Sequence, residues 1–144
     1  MKSKKIASKY DFFVSGKWRN RDNVLKLTNE IRKKGYTVYC FLEAEYSIHR
    51  IANDPENEMK NFENLDWRND PYVKNIFQKD MEGQRYSSTF VMLLPAGKSC
   101  HIEAGVAYGM GKKCILIGEQ KEAESLYLIF DAVYPSEKDF LQTL

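Results

Sequence analysis

Nothing in this 144-residue chain approaches the roughly 18 consecutive apolar residues of a membrane-crossing helix. Glycine (8) and proline (4) are too sparse for a collagen or low-complexity chain, and three cysteines are too few for a disulfide framework. Cys40, Cys100 and Cys114 cannot all pair within one chain and lie at no metal-ligand spacing. Cys40 and Cys114 sit in strand-like runs, where a thiol acts as a small hydrophobe. Both phosphate-loop signatures, GxGxxG and GxxxxGK[ST], are missing, so neither a dinucleotide fingerprint nor an ATPase is indicated. Charge of one sign is missing too: 22 basic against 20 acidic residues give +2. Much of the basic surplus lies in Lys2, Lys4, Lys5 and Lys9, read as a solvated tail. Neither nucleic acid nor a membrane is the expected partner. Asp11 follows Tyr10 where a signal peptide would need an apolar run, so the expected compartment is the cytoplasm.

What remains is an ordinary globular composition, 43% hydrophobic and 29% charged, sized for one domain spanning 1–144. Residues 10–15 read as a first strand. Asp22 is a candidate cap for a helix carrying Val24, Leu27, Thr28 and Ile31 on one face, and Gly35 stops it. Residues 36–42 are β-rich and nearly continuously apolar, as in strands covered on both faces. Residues 43–71 carry eight carboxylates with weak periodicity and read as a lid or binding loop, with room for a short helix near 48–52. Pro71 starts a helix with Val73, Ile76, Phe77 and Met81 on one stripe. Residues 89–94 form a buried strand. Ser99 is a candidate cap for a helix through Met110. Residues 113–117 form a fourth strand, 122–130 a helix and 132–134 an edge strand. Ser136 with Asp139 resembles a capping box for a last helix. Strand and helix alternate throughout. The expectation is an α/β fold: a doubly wound parallel sheet of about five strands with helices on both faces. Ligands in such sheets bind outside the carboxyl ends of the strands.

Two carboxylates stand out. Asp80 lies on the apolar stripe of its helix, where a charge needs a partner or a polar cavity, unless it marks the edge of the stripe. Glu103 is expected in the first turn of the helix after Ser99. A favourable macrodipole explains a carboxylate there, but the strand-to-helix address also puts it at the crevice. Gly105 and Gly109 clear one face of that helix for close packing or a ligand. The loop from Gly16 to Arg21 leads into a helix amino terminus, a natural anion site, with Trp18 able to stack on a base or pack on its neighbours. Cys100 and His101 are adjacent, so their side chains diverge and a thiol–imidazole nucleophile is not expected. His49 stands alone in the lid and reads as solvated.

The stretch Asp11-Phe-Phe-Val-Ser-Gly-Lys-Trp-Arg, the Gly35-Tyr-Thr-Val strand, Asp80, and above all Leu94-Pro-Ala-Gly-Lys-Ser-Cys-His-Ile-Glu-Ala-Gly resemble the nucleoside 2-deoxyribosyltransferase superfamily. This superfamily includes nucleotide N-glycosidases, and the resemblance spans roughly residues 10–142. It implies a flavodoxin-like fold and cleavage or transfer of an N-glycosidic bond. Glu103 would be the nucleophile on the anomeric carbon, and Asp80 would orient it or handle protons. Substrate would be held by Ser15, Gly16, Lys17, Trp18 and Arg19 after the first strand, and by Pro95, Gly97, Ser99 and His101 after the third. Members often complete their sites from a neighbouring subunit, which makes Ser125 and Tyr127 candidates in trans within a homodimer or higher oligomer. No cofactor and no metal are implied. Where nucleotide N-glycosidases carry a serine directly after the proline, this chain has Ala96 and Gly97, with Ser99 later. Two alternatives remain open: a non-catalytic nucleotide-binding or sensing domain, and an NAD glycohydrolase. Fold decides neither.

Overall fold

The computed structural model describes residues 7–44, 54–122 and 124–144. The basic residues Lys2, Lys4 and Lys5, His49 and the suggested helix near 48–52 fall outside these segments. Five parallel strands form one sheet in the order β2-β1-β3-β4-β5: β1 Tyr10–Ser15, β2 Val38–Cys40, β3 Ser87–Leu93, β4 Lys113–Ile117 and β5 Ala132–Tyr134. This is the doubly wound arrangement. The chain moves outward from β1 to β2, returns past β1 to β3, and so leaves a switch point between β1 and β3. The register there pairs Phe13 with Phe90 and Ser15 with Met92.

Among the described residues, five α-helices accompany the sheet: α1 Arg21–Lys33, α2 Pro55–Glu63, α3 Pro71–Arg85, α4 Lys98–Gly109 and α5 Glu137–Leu141. Strand alternation sorts the core into two layers. Phe12, Val14, Val38, Cys40, Val91 and Ile115 face α1, meeting Val24, Leu27, Ile31 and, from α5, Phe140. Phe13, Phe90, Met92, Cys114 and Leu116 face the other way, meeting Cys100, Ala104 and Ala107 of α4, with Phe130. The stripe 24, 27, 28, 31 is fully buried, as its spacing requires.

Several local expectations are corrected. The second strand is short: pairing starts at Val38 and ends at Cys40, where a 3-10 turn, Phe41–Glu43, takes over. Residue 20, not Asp22, occupies the cap of α1, and Asp22 lies in the first turn. The 43–71 segment contains a true helix, α2, capped by Asp54, whose carboxylate accepts from the Glu56 amide, with Pro55 at its start. The mixed composition hid it because its exposed turns carry the charges. The helix expected over 122–130 is a 3-10 turn, Ser125–Ile129. On α3 the predicted stripe is only partly covered: Phe77 is exposed, and full burial comes at Gly83 and Gln84. Ser136 caps α5 as expected, accepting from the Asp139 amide at 3.2 Å. Among the described residues no helix is long and apolar enough to cross a membrane.

Candidate active site

The site grows from the inward-facing residues of β1 and β2. Ser15, the last residue of β1, is completely buried on the α4 side. Its hydroxyl donates a long hydrogen bond of 3.4 Å to Oε1 of Glu103. Glu103 belongs to α4, whose cap is Gly97 without any side-chain cap; Ser99 is inside the helix. Glu103 therefore stands in the second turn, not the first, and simple macrodipole stabilisation loses force, since that effect fades beyond the first turn. The backbone of this turn is held from α3: the Gln84 amide, itself buried, donates to the Glu103 carbonyl at 3.0 Å.

Asp80 comes in from α3, its carboxylate accepting from the Tyr39 hydroxyl at 3.2 Å. The Asp80 charge is close enough to act on Glu103. Burial first, and Asp80 second, push the Glu103 carboxyl up to about 8, while the Ser15 hydrogen bond works weakly the other way. Two carboxylates from different helices thus share one site at the carboxyl edge of β1, where burial and the neighbouring charge favour the protonated form of Glu103. The apolar-stripe anomaly of Asp80 is explained by that company.

The other candidates divide. Gly16 is buried, and a Cβ there would run into a Val24 methyl, so the loop after β1 lies tight on α1. Lys17 meets the second loop: a Cβ on Gly97 would lie 3.8 Å from the Lys17 Cβ. Pro95 and Ser99 are exposed at the same rim. Trp18 turns to the α1 side, its ring 6.4 Å from Phe41, with the Arg21 guanidinium 5.9 Å from its centre. That packing favours the rim-aromatic reading. Arg19 is paired with Glu56 of α2, Nη2 to Oε2 2.9 Å, so it ties the loop to the 43–71 segment. Gly105 and Gly109 face open space rather than the sheet.

His101 and Tyr127 meet within one chain. The Gly97 carbonyl lies 2.7 Å from Nδ1 and can only accept, which puts the proton of a neutral ring on Nδ1. Nε2 then accepts from the Tyr127 hydroxyl at 2.9 Å, and Gln120 donates to that same hydroxyl at 2.7 Å. Ser125 is elsewhere, its hydroxyl on Glu124. Cys100 is buried against Ser15, and burial pushes its thiol up, away from a reactive thiolate. Among the described residues no cluster of three or more His, Cys, Asp or Glu side chains could hold a metal ion.

Two participants escaped the sequence reading. Gln84 follows Asp80 by one helical turn on the same stripe, so a second polar residue there was the available signal. Tyr39 could be found from strand alternation, which points it to the same face as Phe13 and Ser15.

No protein-family model and no curated protein matches the chain by sequence. Among solved structures, the CMP N-glycosidase BcmB of Clostridium botulinum is similar, with a TM-score of 0.52 and 19% sequence identity, covering 92% of this chain and 96% of that one. The likeness shows a shared fold.

Proposed function

We propose that this chain cleaves or transfers the N-glycosidic bond of a nucleoside or nucleoside monophosphate. The observation that carries the proposal is the carboxylate pair: Glu103 and Asp80 brought together beside Ser15, at the edge where doubly wound folds bind ligands. Among the described residues, the groups that act on Glu103 are the Ser15 hydroxyl and the Asp80 carboxylate. A glutamate locked in an ion pair would instead suit a binding module. The fold shared with a CMP N-glycosidase supports the same chemistry.

In this reading the pair holds one proton. As the bond from the anomeric carbon to the base nitrogen breaks, its electron pair leaves with the base. Positive charge develops on the sugar, and a carboxylate beneath it is stabilised in its ionised form. Glu103 yields its proton to Asp80, which passes it to the departing base, and a Glu103 oxygen closes on the anomeric carbon. Water, or an acceptor base in a transferase, then displaces Glu103, and in hydrolysis the water's proton returns to the pair. The residues Lys17, Gly97, Ser99 and His101 form the rim over which the rest of the substrate lies. The test is base release from a panel of nucleosides, nucleoside monophosphates and NAD, read by chromatography. Free base from a nucleoside or monophosphate is expected. Silence across the panel overturns the reading, and release from NAD alone moves it to a glycohydrolase.

The assembly proposed with it is a homodimer or higher homo-oligomer. Leu126 and Leu128 are 72% and 89% exposed, and the last residues do not cover them, because Phe140 is buried on the opposite face of the sheet. Light scattering at micromolar concentration is expected to give at least twice 16.8 kDa. A 16.8 kDa monomer would end any role for Ser125 or Tyr127 in a neighbouring site.

A further inference from the structure

We propose that Gln84 is a positioning residue for the carboxylate pair: its side-chain amide braces α3 against the backbone of Glu103 and so sets how close Asp80 stands to Glu103. What the pair does chemically rests on the reading above; the bracing does not.

Asp80 and Glu103 arrive on different helices, and α3 and α4 each pack on the sheet. Among the described residues, the hydrogen bond that joins the two helices runs from Gln84 Nε2 to the Glu103 carbonyl, at 3.0 Å. Both of its ends lie close to the pair. Gln84 follows Asp80 by four residues, one turn further along the same face of α3. The acceptor belongs to Glu103 itself. The donor end is anchored in turn. The Ser87 hydroxyl of β3 donates to the Gly83 carbonyl at 2.7 Å, and a Cβ at Gly83 would lie 2.8 Å from the Tyr39 ring of β2. Toward its amino end the same helix is lightly covered, with Phe77 64% exposed. Asp80 lies between these two regions, and the brace sits one turn away on the anchored side.

The bond is not required by the backbone. Inside α4 the Glu103 carbonyl already faces the Ala107 amide, four residues on, so Gln84 takes its second lone pair. Nor does packing require an amide. Gln84 is buried, and Leu or Met would fill much the same space without the cost of burying a polar group. What the amide adds is a fixed distance between the turn that carries Asp80 and the residue Glu103. The Ser15 hydroxyl holds the other end of that residue, at Oε1. Glu103 is thus gripped at its carbonyl from α3 and at its carboxyl from β1. Like charges at close range repel, and a helix with one lightly covered end could drift to relieve them. The brace opposes that drift.

The titratable side chains set against Glu103 are Asp80 from α3 and Cys100 from α4; β1 brings the Ser15 hydroxyl, and β2 brings Tyr39, which bonds Asp80. Burial and the Asp80 charge both raise the Glu103 carboxyl, and loosening the brace weakens both.

Gln84→Met tests this. The Glu103 carboxyl is titrated by carbon NMR in the ligand-free protein, with Glu103→Gln as the assignment control. The wild type should titrate at about 8, and Gln84→Met at least about one unit lower. In an Asp80→Asn background the same substitution should move Glu103 less than half as far, because the neighbour that the brace holds in place has lost its charge. With whichever substrate of the panel releases base fastest, kcat should fall about tenfold and KM should change less than about twofold. A residue that only fills space would lower the melting temperature and leave both the titration and kcat unmoved, and that result overturns the proposal. So does an equal shift of Glu103 in the two backgrounds. Gln84→Asn, whose shorter amide does not reach the carbonyl, decides the matter by the same readouts if Gln84→Met does not fold. Absence of base release by the wild type would count against the reading of the reaction, while the titration would still judge Gln84.

Discussion

The two faces of the sheet are built from the same five strands and behave as different materials. Toward α1 and α5 the inward residues are apolar almost without interruption: Phe12, Val14, Val38, Val91 and Ile115 against Leu27, Ile31 and Phe140. Toward α3 and α4 the lower half of the layer is equally apolar. At the carboxyl ends of the strands, however, it turns polar: Tyr39 bonds Asp80, Asp80 acts on Glu103, and Ser15 and Gln84 bond Glu103. Burying carboxylates costs free energy that apolar packing of the same volume would not. The contrast teaches that one layer holds the fold, while the other tolerates a destabilised pair at the place where a ligand can reach it.

The largest expected effect tests the polar layer. Glu103→Gln keeps the shape and removes the charge, and should lower turnover by at least about a thousandfold, on the order of 4 kcal/mol of barrier. The same substitution should stabilise the protein. The native Glu103 carboxyl titrates near 8 and an ordinary one near 4.5, so between those values the folded chain holds a proton that the unfolded chain has released. Wild-type stability therefore falls as pH rises from about 4.5 to about 8 and is level beyond that, as far as this group is concerned. Glutamine does not titrate, so the melting temperatures of variant and wild type should coincide below the window and diverge across it, the variant higher. Equal melting temperatures at pH 8.5, measured by calorimetry, would erase the distinction drawn between the two faces.

Next comes the apolar layer. Phe140 is fully buried, edge-on to Phe12 at 5.9 Å and tilted against Tyr134 at 5.5 Å. Phe140→Ala should cost about 3–5 kcal/mol by denaturant unfolding. Activity per folded molecule should be unchanged, because nothing in the carboxylate site touches that ring. A large drop in kcat in the still-folded variant would mean the faces are coupled more tightly than their separate contact networks imply.

The smallest effect concerns the rim. Arg19 and Glu56 form an exposed pair, and Arg19→Ala should change stability by less than about 1 kcal/mol. If the loop after β1 also meets an anionic group, KM for cytidine monophosphate should rise more than KM for cytidine. Equal changes for the two substrates would assign Arg19 to anchoring α2 and nothing more.

Much of the frame was legible in advance because it rests on local rules. Strand runs, the glycine stop at Gly35, left-handed in the structure, and the Ser136 cap each depend on a few adjacent residues. The lid was misread in part because α2 derives its helicity from an Asp54 cap, Pro55 and contact with the Trp18–Asn20 turn, while its charged residues blur the apolar period. The 125–129 segment was misread in its geometry: a helix was expected over 122–130, and a 3-10 turn, Ser125–Ile129, forms instead.

By itself the sequence determined that the chain alternates strand and helix, and it singled out Asp80 for its place on an apolar stripe and Glu103 for its strand-to-helix address. These follow from periodicity and from the cost of a charge on an apolar stripe. Only the tertiary structure decided that the two carboxylates are neighbours, that Ser15 and Gln84 hold Glu103, and that Tyr39 reaches Asp80. Those meetings depend on which face each crossover covers and on the β1–β2 register that puts Phe13 beside Tyr39. Residues 41 and 88 positions apart were brought together by topology, and no local pattern encodes that distance.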